Sequence, residues 1–101
     1  MAKKKSPVSK RLREARVLAG FSQKSLGIKA GIDEFSASAR MNQYETDKHV
    51  PDFGTIKRIS KVLKMPEAYF YCDDDKLALL ISCWSVLSKK KQQQILSMIN
   101  S

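Results

Sequence analysis

Residues 22–32 of this chain read Ser-Gln-Lys-Ser-Leu-Gly-Ile-Lys-Ala-Gly-Ile. They predict a short helix over residues 23–30, because Ser22 is a good N-cap and Leu26 begins an apolar face at helical spacing. Gly31 then predicts a tight turn, since glycine adopts a left-handed backbone at little cost.

Glycine at position 27 lies inside this predicted helix, where it costs about 1 kcal/mol relative to alanine. We therefore expect another helix to pack closely against Gly27, with Ile32 as an apolar plug in the turn. Asp33 is the predicted N-cap of that next helix, which runs to about Thr46. A helix, a glycine turn and a second helix form the skeleton of a helix-turn-helix motif.

The rest of the chain also favours helices. Only four glycines and three prolines interrupt 101 residues, which is typical of an all-α chain with short connections. Apolar spacing predicts further helices over residues 9–19, around Ile56–Leu63, from Pro66 (as the first helical position) to about Tyr71, over about 74–87, and from Ser88 onward.

The C-terminal residues 73–101 are unusually apolar. Nine of the eleven residues from Leu77 to Leu87 are apolar, and such a helix needs burial on more than one side. We therefore predict a helical hairpin that forms a homodimer, and too few residues remain for a domain that senses a small molecule. The expected interface consists of Leu77, Leu80, Ile81, Trp84, Ile95 and Ile99.

Positive charge is concentrated near the start of the chain. The formal net charge is +9, and residues 1–29 carry nine Lys and Arg against the single carboxylate of Glu14. Such a charge favours a polyanionic partner, nucleic acid first and an anionic membrane second. Residues 1–7 are predicted as a flexible basic arm, in which Lys3–Lys5 either contact DNA or only keep the chain in solution.

The sequence lacks the residue patterns that enzymes, metal sites and membrane-spanning helices require. With His49 as the only histidine and no glycine-rich phosphate loop, we expect no enzyme and no cofactor. Cys72 and Cys83 lack metal-ligand spacing and cannot form a disulfide framework, which favours a reducing compartment and no metal site. The longest apolar run, Leu77–Ile81, is far shorter than a membrane-spanning helix requires.

The motif residues resemble a known family. They are Ser22-Gln23, Leu26, Ala30-Gly31-Ile32, then Met41-Asn42-Gln43-Tyr44-Glu45, and finally Pro51. Together they resemble the phage-repressor/Cro-type (lambda-repressor-like, XRE) helix-turn-helix family over residues 8–71. The resemblance implies a five-helix DNA-binding domain whose third helix enters the major groove, followed here by a two-helix extension.

The same resemblance implies roles for individual residues. Bases would be read by Ser38, Arg40 and Gln43. Phosphate contacts or support would come from Gln23, Ser36, Asn42 and Lys48. An ion pair between Arg16 and Glu45 would join the first helix to the end of the third. Arginine suits guanine and glutamine suits adenine in the major groove, which agrees with these roles.

Two positions depart from the family pattern. Residues 33–40 are about four residues longer than usual, and the insert either lengthens the recognition helix or widens the loop before it. Gly27 stands where the family prefers alanine. Phe35, within the insert, is odd for a DNA surface, and we expect it to pack against the protein rather than to form a wedge in DNA.

The predicted function is a sequence-specific transcriptional regulator that acts as a repressor on palindromic operator DNA. It would be a cytoplasmic protein, associated with a bacterial nucleoid or encoded by a phage. The alternative is an antitoxin-like module that sequesters another protein through its apolar C-terminal helices. A peripheral membrane role ranks third, because the basic residues do not line one face of an aromatic-rich amphipathic helix.

Overall fold

The computed structural model describes residues 6–101, and those residues form helices joined by turns and loops, with no strand. Their seven helices are α1 Pro7–Ala19, α2 Gln23–Lys29, α3 Ala37–Glu45, α4 Phe53–Leu63, α5 Glu67–Phe70, α6 Asp75–Trp84 and α7 Lys89–Asn100. The predicted all-α class is confirmed, with five helices followed by a two-helix extension. Lys3–Lys5 of the predicted basic arm lie outside the described residues.

Helix α2 begins and ends where the sequence predicts. The Ser22 hydroxyl accepts a hydrogen bond from the Ser25 backbone N–H at 3.0 Å, and the Ser25 hydroxyl accepts one from the Ser22 N–H at 3.0 Å. This reciprocal cap satisfies two backbone donors that a helix otherwise leaves unpaired. After α2, Gly31 has a φ of +91°, which confirms the predicted left-handed turn.

Gly27 lies where α2 and α3 approach each other most closely. A Cβ atom at this position would stand 2.8 Å from the Cβ of Ala37 and 3.1 Å from its carbonyl oxygen. The methyl group of Ala37, the first residue of α3, therefore occupies the place that a side chain at position 27 would need. This contact explains why glycine replaces the alanine that the resembling family prefers.

The start of α3 differs from the prediction. Asp33 is not its N-cap: the helix begins at Ala37, and residues 33–36 form a separate turn. The Asp33 carboxylate accepts a hydrogen bond from the Phe35 backbone N–H at 3.0 Å, and the Asp33 carbonyl accepts one from the Ser36 N–H at 3.0 Å. Aspartate side chains close such local turns as readily as they cap helices. The additional residues therefore widen the loop before α3 and do not lengthen α3.

Phe35 does not pack against the protein, and the expectation that it would was wrong. Its side chain is 91% exposed at the tip of the turn formed by residues 33–36. The turn holds it outward because Asp33 and Ser36 bond to each other across it.

The hydrophobic core is built from residues of α1 to α5, with one residue from α6. Its buried residues are Val8, Leu12, Ala15, Leu26, Ala30, Met41, Tyr44, Ile56, Ile59, Leu63, Tyr69, Phe70 and Ala78. Ala78 is the one buried residue of α6, and α7 has none. Helix α6 therefore adds Ala78 to a core that the first five helices mostly supply, whereas α7 adds no buried residue.

One buried arginine joins α6 to this core. Arg11, only 3% exposed, donates to the carbonyl oxygens of Cys72 at 2.8 Å and Asp73 at 3.1 Å. It also contacts the Asp75 carboxylate at 2.9 Å. Hydrogen bonds from Lys10 and Arg11 lower the pKa of Asp75, so the Asp75 carboxylate is ionised at neutral pH and pairs with both cations.

Three element ends differ from the prediction by a few residues. Helix α1 begins at Pro7 and not at Ser9, and Ser6 is its N-cap, so these two residues of the predicted arm belong to the start of the helix. Pro66 is the N-cap of α5 and not its first helical residue. Helix α6 ends at Trp84 and not at Leu87, because residues 85–87 turn toward the Ser88 cap of α7. None of the helices in residues 6–101 is long and apolar enough to cross a membrane.

Candidate nucleic-acid interface

Helix α3 presents polar side chains on both flanks of its exposed face. Its buried stripe consists of Ala37, Met41 and Tyr44. At about 100° per residue, Ala39 lies opposite this stripe. The polar residues lie on either side of Ala39, with Ser38 and Asn42 on one flank and Arg40 and Gln43 on the other. Ser38, Arg40 and Asn42 are exposed, while Gln43 is half-buried.

An ion pair fixes the end of α3 against α1. Arg16 Nε donates to Glu45 Oε2 at 2.6 Å, and Arg16 Nη2 donates to Glu45 Oε1 at 3.0 Å. The remaining guanidinium nitrogen, Nη1, donates to the carbonyl oxygen of Phe21 at 2.8 Å. The Glu45 side chain is 3% exposed, so this two-point contact is shielded from water and holds three segments in one geometry.

Gln23 connects the start of α2 to the same cluster. Its Nε2 donates to Glu45 Oε1 at 3.2 Å and to Asn42 Oδ1 at 3.3 Å. The side-chain oxygen of Asn42 therefore accepts a hydrogen bond from within the chain, whereas its amide nitrogen has no hydrogen-bond partner among residues 6–101. Asn42 thus presents donors to the surface, whereas the amide donors of Gln23 are already used in supporting it.

These residues line a polar groove on one flank of α3. We call it the Gln23 groove, and it is formed by Arg13, Arg16, Gln23, Asn42, Glu45 and Thr46. Two arginines face one carboxylate there, and that carboxylate is paired with Arg16. Arg13 has no partner among the described residues, so the groove offers one free guanidinium group beside the Asn42 amide.

A second groove lies on the other flank. We call it the His49 groove, and its lining consists of Arg40, Gln43, Tyr44, His49, Val50, Asp52 and Thr55. Asp52 caps α4, and hydrogen bonds from the Thr55 backbone N–H and side chain lower the pKa of its carboxyl group. The lining of this groove therefore holds one cationic side chain, Arg40, and one carboxylate, Asp52, which also interacts with Arg58 of α4. The Gln23 groove, and not the His49 groove, therefore has the excess positive charge that a phosphate requires.

Ser36 and Lys48 stand apart from both grooves. Ser36 directly precedes α3, and its hydroxyl lies 3.5 Å from the Asp33 carboxylate. Lys48 is exposed in the loop after α3, where its backbone N–H donates to the Gln43 carbonyl at 2.9 Å. That bond fixes the loop but leaves the Lys48 ammonium group in solvent.

The six apolar residues predicted at a dimer interface are exposed to different degrees. Leu77 and Leu80 are each half exposed and Ile99 is 70% exposed. Ile81 packs partly against the core of its own chain. Trp84 and Ile95 are half-buried, and the Trp84 carbonyl accepts a hydrogen bond from the Gln92 side chain at 2.8 Å. Leu77, Leu80 and Ile99 are therefore at least half uncovered by residues 6–101.

Two arginines that shape the interface were not identified from the sequence. Arg58 of α4 donates to the Ala30 carbonyl at 2.9 Å, which caps the end of α2 from 28 residues away. No local pattern signals such a distant contact. Arg13 could have been found, because it lies three residues before Arg16 and so on the same side of α1.

Comparison with solved structures finds a similar transcriptional regulator. The chain is similar to the crystal structure of the transcriptional regulator BswR, with 47% sequence identity over 91% of each chain and a TM-score of 0.87. No protein-family model matches the chain, and no curated protein matches it either.

Proposed function

The chain belongs to the same family as the transcriptional regulator BswR, and from this premise we propose that it is a sequence-specific DNA-binding regulator of the phage-repressor (XRE) type. Residues 8–71 form its DNA-binding part, and α3 is the recognition helix. It acts as a repressor in the cytoplasm by occupying operator DNA.

One observation carries this proposal: α3 is held rigidly with its polar flanks exposed. Glu45 is fixed by Arg16, and Asn42 is fixed by Gln23. A helix that offers preset donors and acceptors loses little conformational entropy when it enters a groove of DNA. An ordinary solvated helix does not need a shielded ion pair at its end to fix its orientation.

The two flanks of α3 suit different parts of a DNA duplex. Arg40 can donate to both acceptors of guanine, Gln43 can pair with adenine, and Ser38 can bond to either purine. The Gln23 groove suits a phosphate, because the free guanidinium of Arg13 and the amide nitrogen of Asn42 both donate. Phosphate contacts set the register of the helix, and base contacts then select the sequence.

The proposed functional form is a homodimer joined through residues 73–101. Six of the described residues in 6–29 are Lys or Arg against one carboxylate, so each protomer brings a basic surface to the DNA. A twofold dimer presents two recognition helices to successive major grooves. Its site is therefore palindromic, with half-sites about 10 base pairs apart or a multiple of that.

The test is selection of bound sites from random duplex DNA with the full chain. We expect an enriched palindrome from the wild type. The matched control is the triple variant Ser38→Ala, Arg40→Ala, Gln43→Ala, which should retain the fold but lose the enrichment. Recovery of no enriched sequence by the wild type would refute the proposal.

A second candidate function rests on the exposed apolar face of α7, which has no buried residue. In this alternative the C-terminal helices sequester a different protein, as an antitoxin does. Sedimentation separates the two: a dimer of the purified chain supports the regulator, whereas a purified monomer that binds DNA with full affinity supports the alternative.

A further inference from the structure

The turn that precedes α3 carries an aromatic side chain that the core does not use. Phe35 is 91% exposed, and it stands two residues before Ala37, where the recognition helix begins. From this placement we infer that Phe35 contacts the methyl group of a thymine in the major groove. The inference rests on the proposed function and adds a specificity-determining residue to it.

The backbone of Phe35 is held in position by the turn at residues 33–36 and is not free to move with the loop. Its backbone N–H donates to the Asp33 carboxylate at 3.0 Å, and Ser36 closes the same turn. The Ser36 carbonyl in turn accepts from the Arg40 backbone N–H at 2.8 Å, which joins the turn to α3. The backbone of Phe35, from which the phenyl ring extends, therefore moves with the recognition helix when that helix enters a groove.

The chemistry around Phe35 excludes a phosphate as its partner. A phenyl ring has no donor for a phosphate, and the adjacent carboxylates of Asp33 and Glu34 repel one. On the base edges of the major groove, the thymine methyl is the apolar group that a phenylalanine can cover. The residues that repel the DNA backbone thus leave the base edges as the surface that Phe35 can approach.

A protein partner fits Phe35 less well than DNA does. Protein interfaces are built on contiguous apolar patches, whereas the chain neighbours of Phe35 are the polar residues Glu34 and Ser36. The exposed apolar residues of the C-terminal helices belong to other elements, and α3 packs chiefly on α2 and α1. Within residues 33–38, at the start of the recognition helix, Phe35 is therefore the one large exposed apolar side chain.

The test removes the methyl group and the phenyl ring separately. On the enriched duplex, each thymine of a half-site is replaced in turn by deoxyuridine, which lacks only the methyl group. One buried methyl corresponds to about four-fold in affinity. We expect one thymine at which wild-type binding falls about four-fold, while Phe35→Ala binds the two duplexes equally.

Two variants control this cycle. Phe35→Leu keeps an apolar side chain and should still distinguish thymine from deoxyuridine. Leu18→Ala removes an equally exposed apolar residue from α1 and should leave the four-fold difference unchanged. The thermal melting of Phe35→Ala should match that of the wild type, because the ring contacts solvent in the free protein.

The outcomes separate the two proposals. If the wild type enriches a site but Phe35→Ala shows the same deoxyuridine effect, the inference about Phe35 is wrong and the proposed function stands. If Phe35→Ala weakens self-association in sedimentation, the ring belongs to a protein interface and the inference is also wrong. If the wild type enriches no site, both proposals fail.

Discussion

Helix α4 buries five of its eleven residues, whereas α7 buries none of its twelve. Both have apolar residues at helical spacing. The apolar face of α4 packs against α1, α2 and α5 of its own chain, while α7 leaves Met98 and Ile99 at least 70% exposed. A helix of this length is marginal alone in water, and α7 gains less support from its own chain than α4 does.

The comparison therefore divides the molecule into a five-helix unit (α1–α5), which supplies all but one of the buried core residues, and the C-terminal helices (α6 and α7), which supply only Ala78. The proposed division of labour follows the same line. The five-helix unit binds DNA, and the C-terminal helices bind a second copy.

The largest expected effect is that of salt on DNA binding. Affinity should fall about 10³-fold or more between about 50 and 200 mM salt, if six or more phosphates are contacted. Anisotropy titrations measure the slope of log affinity against log salt. Arg13→Gln should lower this slope by about one for each protomer, whereas Lys90→Gln in α7 should not change it. An equal effect of the two would show that the C-terminal helices also touch DNA.

The next effect concerns the stability of the five-helix unit. Arg16→Ala should lower the free energy of unfolding by about 3–5 kcal/mol, because it leaves the buried Glu45 carboxylate without its partner. Urea unfolding measures the loss. Arg13→Ala, an exposed arginine on the same helix, is the matched control and should change stability little. A loss as small for Arg16→Ala as for this control would contradict a structural role for the ion pair.

The C-terminal helices are tested through their one tryptophan. Trp84→Ala should weaken the dimer by about 2–4 kcal/mol if the indole is a central anchor of the interface. Sedimentation velocity over a range of protein concentrations gives the dissociation constant. Val86→Ala, in the turn after α6, is the control and should leave association unchanged. A wild-type chain that stays monomeric at high concentration would remove the basis of the comparison.

Within the five-helix unit, base readers should differ from phosphate contacts. Arg40→Ala or Gln43→Ala should cost about 1–3 kcal/mol on the cognate duplex and much less on a scrambled one. Lys48→Ala should weaken both duplexes alike, because phosphates carry no sequence information. Gln23→Ala should do the same through the loss of support for Asn42. If Arg40→Ala and Gln43→Ala lose the same affinity on both duplexes, the turn at residues 33–36 becomes the better candidate for base contacts.

The smallest effect is at the junction of the two regions. Lys10 and Arg11 lower the pKa of Asp75, so the ionised form stabilises the folded chain. This stabilisation is present above the ordinary aspartate pKa of about 4 and is lost as pH falls through the lowered value. The melting temperature of Asp75→Asn should therefore lie below that of the wild type at pH 7, and the two should converge as pH falls below the ordinary aspartate pKa and through the lowered one.

The control for this pH experiment is Asp47→Asn, since Asp47 has no ion pair among the described residues and asparagine tolerates its positive φ. Its difference from the wild type should not vary with pH in the same way. A constant difference for Asp75→Asn would mean that the carboxylate acts through shape and not through charge.

Local residue patterns predicted much of this fold. Ser22 and Ser88 were identified as caps because a serine before an apolar run satisfies a helix N-terminus. A close contact is expected at Gly27 because glycine inside a helix is less stable than alanine, and close packing of another helix compensates for that cost. The fold class followed from the spacing of apolar residues and the scarcity of glycine and proline, which are properties of short segments.

Predictions failed where one residue has two local options. Asp33 can cap a helix or close a turn, and the position of Ala37 against Gly27 selects the turn. Phe35 was expected to pack because aromatic residues usually do, but the turn holds it away from the core. Arg58 was missed because its partner, the Ala30 carbonyl, lies 28 residues away.

The helices, their caps and the charge of the surface can therefore be predicted from local sequence, because these depend on residues a few positions apart. The start of α3, the donors that Asn42 presents and the apolar residues that stay uncovered become visible only in the folded chain. Each of these depends on groups far apart in the chain that meet in space, and no pattern of neighbouring residues encodes the distance between them.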